Sequence, residues 1–484
     1  MSKFRTILSA TLAVALTACG GGGGSGSTGG TIGGGNTGGG GGSGGGGTGG
    51  SAADCSIGAR KDWVLGQMRE WYLFPDLLNT GINQASYDTV QDYIDALVAP
   101  ARAQERDRFF TYITSIEEEN DLIRTGSNAG FGVRLSYDQG AGRLFVVEAF
   151  ESAPAFAAGV DRGTEILAID GQTVSSLFAQ GGSFAVSNAL GPSDPGVSRA
   201  LRIRTVGGVE RTVTIQKTEY SLDPVSDRYG AKILDVDGKR VGYINLRTFI
   251  IQSAEQDLRE AFQRFQNQNV DQVILDLRYN GGGLISIADL LGDLLSADKT
   301  GQVFSRTVFR PSKSENNETT LFSSQPQAIS ATKIAVIGRE GTASASELVT
   351  NSMLAYLDEN IGLIGTNTFG KPVGQIALDR SACDDRLRVV ALQTENADGE
   401  GEYYRGLASV MQATCAADDQ LTRQLGDPSE ESISTALDYL AGRTCRPITV
   451  TATKKGVTAQ AVPRRELLLS ARPSAAQSEI PGLF

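Results

Sequence analysis

The sequence predicts a multidomain α/β protein, and three observations carry that prediction. Two continuous apolar runs, "VILDL" (273–277) and "KIAVIG" (333–338), each lead into a helical pattern. Strands buried on both faces and joined by helices define an α/β layer. Residues 127–218 instead alternate short β-type runs with glycine turns, the pattern of a separate mainly-β unit. A chain of 484 residues is also longer than one ordinary core sustains.

In chain order, residues 1–19 have the form of an export signal. Lys3 and Arg5 precede the apolar run "TILSATLAVALTA", which is too short to span a bilayer. The run ends in Leu16-Thr17-Ala18-Cys19, which resembles the lipobox of bacterial lipoproteins and implies acylation of Cys19. Gly20, where an aspartate would signal inner-membrane retention, then implies the periplasmic side of the outer membrane. Residues 20–52 are almost all Gly, Ser and Thr, a flexible tether with a reach of roughly 30 Å.

Residues 53–126 show helical periodicity, with Leu65, Met68, Trp71 and Tyr72 on one face. The acidic run "SIEEEN" (115–120) is expected to be a solvated face. Within 127–218, "GFGVRLS", "RLFVVEAF", "TEILAIDG" and "RALRIRTV" are the predicted strands, with a short helix in "ESAPAFAAGVDRG". Residues 219–445 open with a hairpin turning at Asp237-Gly238 and a helix over "SAEQDLREAFQRFQNQ", before the two apolar strands. Residues 446–484 show no clear period and are expected to lack fixed structure.

Four cysteines remain after Cys19, which in an exported protein suggests two disulfides with three possible connectivities. Cys383 and Cys415 flank one compact unit, so Cys383–Cys415 is expected and, by elimination, Cys55–Cys445.

The net charge of −11 argues against nucleic acid as a partner. No histidine occurs anywhere, which excludes a Ser-His-Asp triad, HExxH zinc sites and histidine proton shuttles. Yet "GTASASELVT" (341–350) follows "KIAVIG" as a strand, tight turn and helix start, a setting that presents Ser344 or Ser346 at a sheet end. A serine there needs another base. Lysine can act if burial lowers its pKa. Lys371 in "TNTFGKPVGQ" has an apolar setting with no acid within four residues on either side. "SADKTG" (296–301) matches S-x-x-K and K-T-G only by sharing Lys299 between them, so that match is accidental.

The segments "DLRYNGGGLI" (276–285), "TASASE" (342–347) and "TFGKPVGQ" (368–375), in this order, resemble the core motifs of the C-terminal processing (tail-specific) serine–lysine peptidases. The resemblance covers about residues 60–445. It implies an α/β, crotonase-like ββα serine–lysine peptidase core (219–445), an inserted PDZ-like domain (127–218) and an N-terminal helical region. It implies Ser344 as nucleophile, Lys371 as general base and Gln375 as the residue orienting the lysine, with no metal or organic cofactor. An oxyanion hole would come from Gly282 and the Ala345 amide, at a helix N-terminus suited to developing negative charge. Gly130, Phe131, Gly132 and Val133 would grip a peptide's terminal carboxylate. The Ser-to-Lys segment is about two residues longer than the common pattern, leaving Ala355 where some members carry an aspartate; Asp358 is the alternative.

The resulting expectation is a lipid-anchored serine endopeptidase of the bacterial envelope acting on proteins with free apolar C-termini. The alternatives are a catalytically silent PDZ-containing scaffold and a small-molecule esterase or amidase using the same dyad. The chain's own end, "IPGLF", is an apolar free C-terminus able to dock in its own groove.

Overall fold

The computed structural model describes residues 54–449, 465–470 and 472–484. The signal segment, Cys19 and the Gly/Ser-rich spacer lie outside the described residues.

Residues 219–445 contain a six-stranded sheet. Its strands run in the order Ala231–Val236, Lys239–Asn245, Gln272–Asp276, Lys333–Gly338, Ile361–Gly365, Ala413–Ala416. The first pair is the antiparallel hairpin turning at Asp237-Gly238, both with positive φ, and every later pairing is parallel. The period of two divides the apolar strands between two cores. Val273, Leu275, Ile334 and Val336 face helices Ala254–Asn267, Ile285–Leu295 and Ala345–Leu357. Ile274, Ala335 and Ile337 face helix Glu431–Leu440. Open parallel sheets bind ligands beyond the carboxyl ends of their strands. Here the glycine run after Gln272–Asp276 and the serine turn after Lys333–Gly338 lie at that edge.

The N-terminal region contains helices Ile57–Trp71, Val90–Leu97, Ala99–Ala103 and Ile116–Thr125. It has no separate core. Val64, Met68, Tyr72, Ile94 and Leu97 pack with Val389, Val390 and Leu392 of strand Asp385–Glu395, the centre of a second sheet. The acidic run corrects its expectation in part. Glu119 is fully buried and pairs with Arg386 and Arg388, so one of the three glutamates faces inward as a cross-link.

Residues 127–218 form a β domain on a two-stranded neck, Ser127–Gly130 against Thr218–Ser221. Its main sheet is ordered Glu466–Leu467, Val133–Asp138, Arg143–Ala149, Glu165–Ile169, Ser198–Arg204, Glu210–Gln216. Helix Val174–Leu190, which the β-type pattern did not announce, kinks at Gly181 and Gly182 and buries Leu177, Phe178, Val186 and Leu190 in this core. A buried ionic cluster ties the domain to the region of the six-stranded sheet: Arg162 donates to Asp419, which also accepts from Arg278 and Tyr279, while Arg278 pairs with Glu430. Burial alone would raise the Asp419 carboxyl. The guanidiniums of Arg162, Arg339 and Arg278 outweigh it and hold the group far below the usual carboxylate range.

Two expectations are corrected. The disulfides are Cys55–Cys383 and Cys415–Cys445, not Cys383–Cys415 and Cys55–Cys445. Cys383 lies at the turn between strands Val373–Arg380 and Asp385–Glu395, beside the start of the N-terminal region. Cys415 instead sits on the edge strand of the six-stranded sheet, against the segment that follows helix Glu431–Leu440. The second correction is that residues 465–470 and 472–484 are packed. Glu466–Leu467 extends the β domain's sheet, Ala475–Glu479 is helical, and Ile480, Leu483 and Phe484 are at most 2% exposed.

Candidate active site

Strand Lys333–Gly338 runs into a turn pinned by Thr342, whose hydroxyl donates to the Leu277 carbonyl at 2.8 Å. Ser344 follows with φ 54° and ψ −117°, a region that costs a side-chain-bearing residue about 1–3 kcal/mol. Helix Ala345–Leu357 begins directly after it. The half-exposed Ser344 therefore stands at a helix N-terminus in a strained conformation. Ser346 does not share this position: it is fully buried, and its hydroxyl donates to the Asn280 carbonyl at 3.1 Å.

Glu347, one turn into the helix and fully buried, holds the site together. Its carboxylate accepts from the backbone amides of Ser344 (3.1 Å), Gly370 (2.7 Å) and Lys371 (2.7 Å). One side chain thus fixes the serine turn against the lysine turn. Burial raises its pKa, and the hydrogen bonds it accepts work in the opposite direction. The sequence reading assigned Glu347 no role, although a Glu three residues after the first serine-turn cap position is a capping-box signal.

Lys371 donates to Gln375 Oε1 at 2.9 Å, and the Gln375 amide nitrogen donates in turn to the Phe110 carbonyl. Lys371 Nζ also lies 5.0 Å from the centre of the Phe110 ring. Burial pushes the lysine below its ordinary value, with the carboxylates of Glu479 and Asp107 opposing in part. Arg108 donates to the carbonyls of Phe369, Gly370 and Tyr404 and lies 4.2 Å from the Phe369 ring. The N-terminal region therefore supplies one wall of the lysine pocket. Sequence reasoning missed Asp107, Arg108 and Phe110, which carry no periodic or motif signal and reach the site only through the tertiary fold.

The glycine run lies against the serine. Gly282 has φ +108°, and a Cβ there would meet Ser344 Cβ at 2.7 Å and the Ala345 nitrogen at 2.9 Å. The Gly282 amide, expected as an oxyanion donor, is taken by Asn280 Oδ1 at 2.9 Å in this state. The Ala345 amide has no partner among the described residues. Asp358, the alternative to Ala355 in the longer Ser-to-Lys segment, is exposed at the opposite end of the serine helix.

In the β domain, Gly130, Phe131, Gly132 and Val133 form a loop that holds the chain's own terminus. The amides of Gly132 and Val133 donate to the Phe484 backbone oxygen at 2.9 and 3.2 Å, and the Phe484 amide donates to the Val133 carbonyl at 2.9 Å. Gly132, at φ +75°, lets the loop turn where a side chain would collide with Ala153. No group of residues suited to a metal ion occurs among the described residues.

The Ser344 and Lys371 turns, joined through Glu347, thus lie at the carboxyl edge of a parallel sheet, beside a β domain that holds residues 482–484. Residues 240–400 match the family model of Peptidase family S41, and residues 59–112 match that of the Peptidase S41 N-terminal domain. The chain is similar to proteins described as C-terminal processing proteases. It is 28% identical to a carboxyl-terminal-processing protease of Synechocystis over 66% of this chain and 68% of the relative. With a chloroplastic C-terminal processing peptidase of Tetradesmus obliquus the identity is 31%, over 53% of this chain and 54% of the relative. The chain thus spans only about half to two thirds of the length of these relatives. A Bacteroides fragilis structure described as an S41 protease superimposes with a TM-score of 0.60 at 23% identity, covering 78% of this chain and 97% of that one; the likeness is one of fold.

Proposed function

We propose that the chain is a lipid-anchored serine endopeptidase that cleaves the C-terminal tails of exported proteins by Ser–Lys acyl-enzyme chemistry. The observation that carries this reading is Lys371, half-buried, hydrogen-bonded to Gln375 and joined through Glu347 to the strained Ser344 turn. Ser344 Oγ forms a bond to the scissile carbonyl carbon as its proton passes to neutral Lys371. Lys371 returns that proton to the leaving amine as the C–N bond breaks, and water then releases the acyl group with Lys371 again as base. The Ala345 amide and an amide of the glycine run stabilise the oxyanion once the Asn280 side chain releases Gly282.

The β domain acts as a PDZ-like receptor. Its Gly130–Val133 loop takes the substrate's terminal carboxylate, and the substrate adds as a strand beside Val133–Asp138. Cys19, acylated, anchors the chain on the periplasmic side of the outer membrane. The test is cleavage of an unfolded reporter with an apolar C-terminus by the chain beginning at Ser51, beside folded Ser344→Ala and Lys371→Ala variants. Cleavage by wild type alone supports the reading; cleavage that survives Ser344→Ala overturns it. Binding of the reporter without cleavage in any variant would favour a scaffold.

A further inference from the structure

The last eleven residues occupy two places at once. Phe484 sits in the carboxylate loop and packs with Phe131 and Val133 in the β domain's core. Leu483 pairs with Arg134, and the Leu135 amide donates to the Gly482 carbonyl at 2.8 Å, so the end of the chain runs antiparallel to strand Val133–Asp138. Just before this, the segment crosses the candidate catalytic cleft. A Cβ on Gly281 would meet Pro481 Cδ at 2.7 Å and the Glu479 carbonyl oxygen at 2.9 Å, so the tail lies directly on the glycine run. Ile480 is fully buried among Leu122, Phe150, Tyr220, Ile250 and Ile251, an apolar pocket drawn from all three regions. Tyr112 donates to the Glu479 carboxylate, and the Gln477 side-chain amide donates to the Leu483 carbonyl at 2.8 Å.

Resting on the peptidase reading above, we propose that residues 474–484 are an intramolecular competitive inhibitor. They fill the carboxylate groove and lie across the catalytic cleft, and polypeptides with a free, large apolar C-terminal residue displace them. The chemistry of the held segment defines the partner: a free carboxylate for the Gly132 and Val133 amides, an aromatic or large aliphatic last residue, and an apolar residue at the Ile480 position. Glu479 adds a second effect, because its carboxylate favours the charged form of Lys371, the form unable to act as base. A tethered ligand competes at an effective concentration on the order of millimolar. If the free tail peptide bound with a dissociation constant of roughly 10–100 μM, outside ligands would appear ~10–100-fold weaker while the tail is in place.

The test uses the chain from Ser51, beyond which all the described packing lies, in a Ser344→Ala background so that nothing is cleaved. A fluorescein-labelled peptide of sequence SEIPGLF is titrated by anisotropy into the full-length chain, into a chain ending at Pro473, and into a full-length Phe484→Asp variant. The expected result is binding at least tenfold tighter to both altered chains, abolished when the peptide is C-terminally amidated. Equal affinity for all three chains overturns the proposal. If the shortened chain does not fold, Phe484→Asp decides alone. Restoring Ser344 in each chain separates the two readings: opened binding with no reporter cleavage upholds the tail inhibitor and removes the peptidase. A wild-type chain that loses its tail by mass, while Ser344→Ala keeps it, also overturns the proposal, because the tail is then a substrate.

Discussion

Gly282 and Ser344 approach so closely that a methyl group on the glycine would lie 2.7 Å from the serine Cβ. Gly282→Ala therefore displaces the serine turn, and its φ of +108° adds strain that no L-residue tolerates well. The expected outcome is peptidase activity down by at least about 100-fold, with the circular dichroism spectrum retained. Activity near wild type would show that the glycine run does not shape the site.

Glu347 is the second structural determinant of the serine turn. Glu347→Ala leaves the Ser344, Gly370 and Lys371 amides without their acceptor. Unpaired buried donors cost about 1–3 kcal/mol each, and these three are not additive. We expect at least about 2 kcal/mol of destabilisation in urea and loss of activity, with Glu347→Gln intermediate because one amide oxygen remains to accept.

The pH dependence follows from Lys371. Burial lowers its pKa, so activity rises as pH increases through a midpoint below the ordinary 10.5. The charged groups acting on it are Glu479, Asp107, Arg388 and Glu347. Glu479→Gln removes the leading carboxylate and moves the acid limb of kcat/KM to lower pH; an unmoved limb would separate Glu479 from the base. Between the folded and unfolded lysine pKa values the unfolded chain binds more protons. This group's linkage therefore makes stability rise with pH in that window.

Gln375 positions the lysine from the far side and is itself held by the Phe110 carbonyl. Gln375→Ala is expected to lower kcat by about 10–100-fold with little change in KM. A structural role alone would instead lower thermal stability and leave the pH profile unchanged.

The Arg162–Asp419 pair seats the β domain on the core. Asp419→Asn leaves buried guanidiniums undercompensated, an expected loss of about 3–5 kcal/mol. The wild-type carboxyl has a depressed folded pKa, so its contribution is complete above the ordinary 3.8 and is lost as pH falls further. Acid unfolding of wild type and its absence as a distinct transition in Asp419→Asn would check this.

Part of this architecture is legible in the sequence because the responsible interactions are local. The continuous apolar character of "VILDL" and "KIAVIG" is what one chain segment needs to cover both sheet faces. Asp237-Gly238 supplies the positive φ values its hairpin requires. The serine, lysine and glutamine segments are recognisable because each is a short turn or strand whose residues act on close neighbours, as Gln375 does on Lys371. The disulfide pairing was not legible, since Cys55 and Cys383 are 328 residues apart and meet only because the N-terminal helices pack on the sheet carrying Cys383. Glu119, Arg108 and Phe110 gain their roles in the same way, from partners far along the chain.

By itself the sequence determined the α/β layer, the separate β unit, the exclusion of histidine chemistry and the short segments that carry the candidate nucleophile and base. Only the tertiary structure decided which cysteines pair, that Glu347 joins the Ser344 and Lys371 turns, that Asn280 holds the Gly282 amide, and that residues 479–484 lie against the glycine run and the Gly130–Val133 loop. The physical reason is range. Periodicity and turn chemistry act over a few residues, whereas burial of Ile480 and Phe484 depends on three regions of chain brought together, whose combined apolar surface no single segment displays.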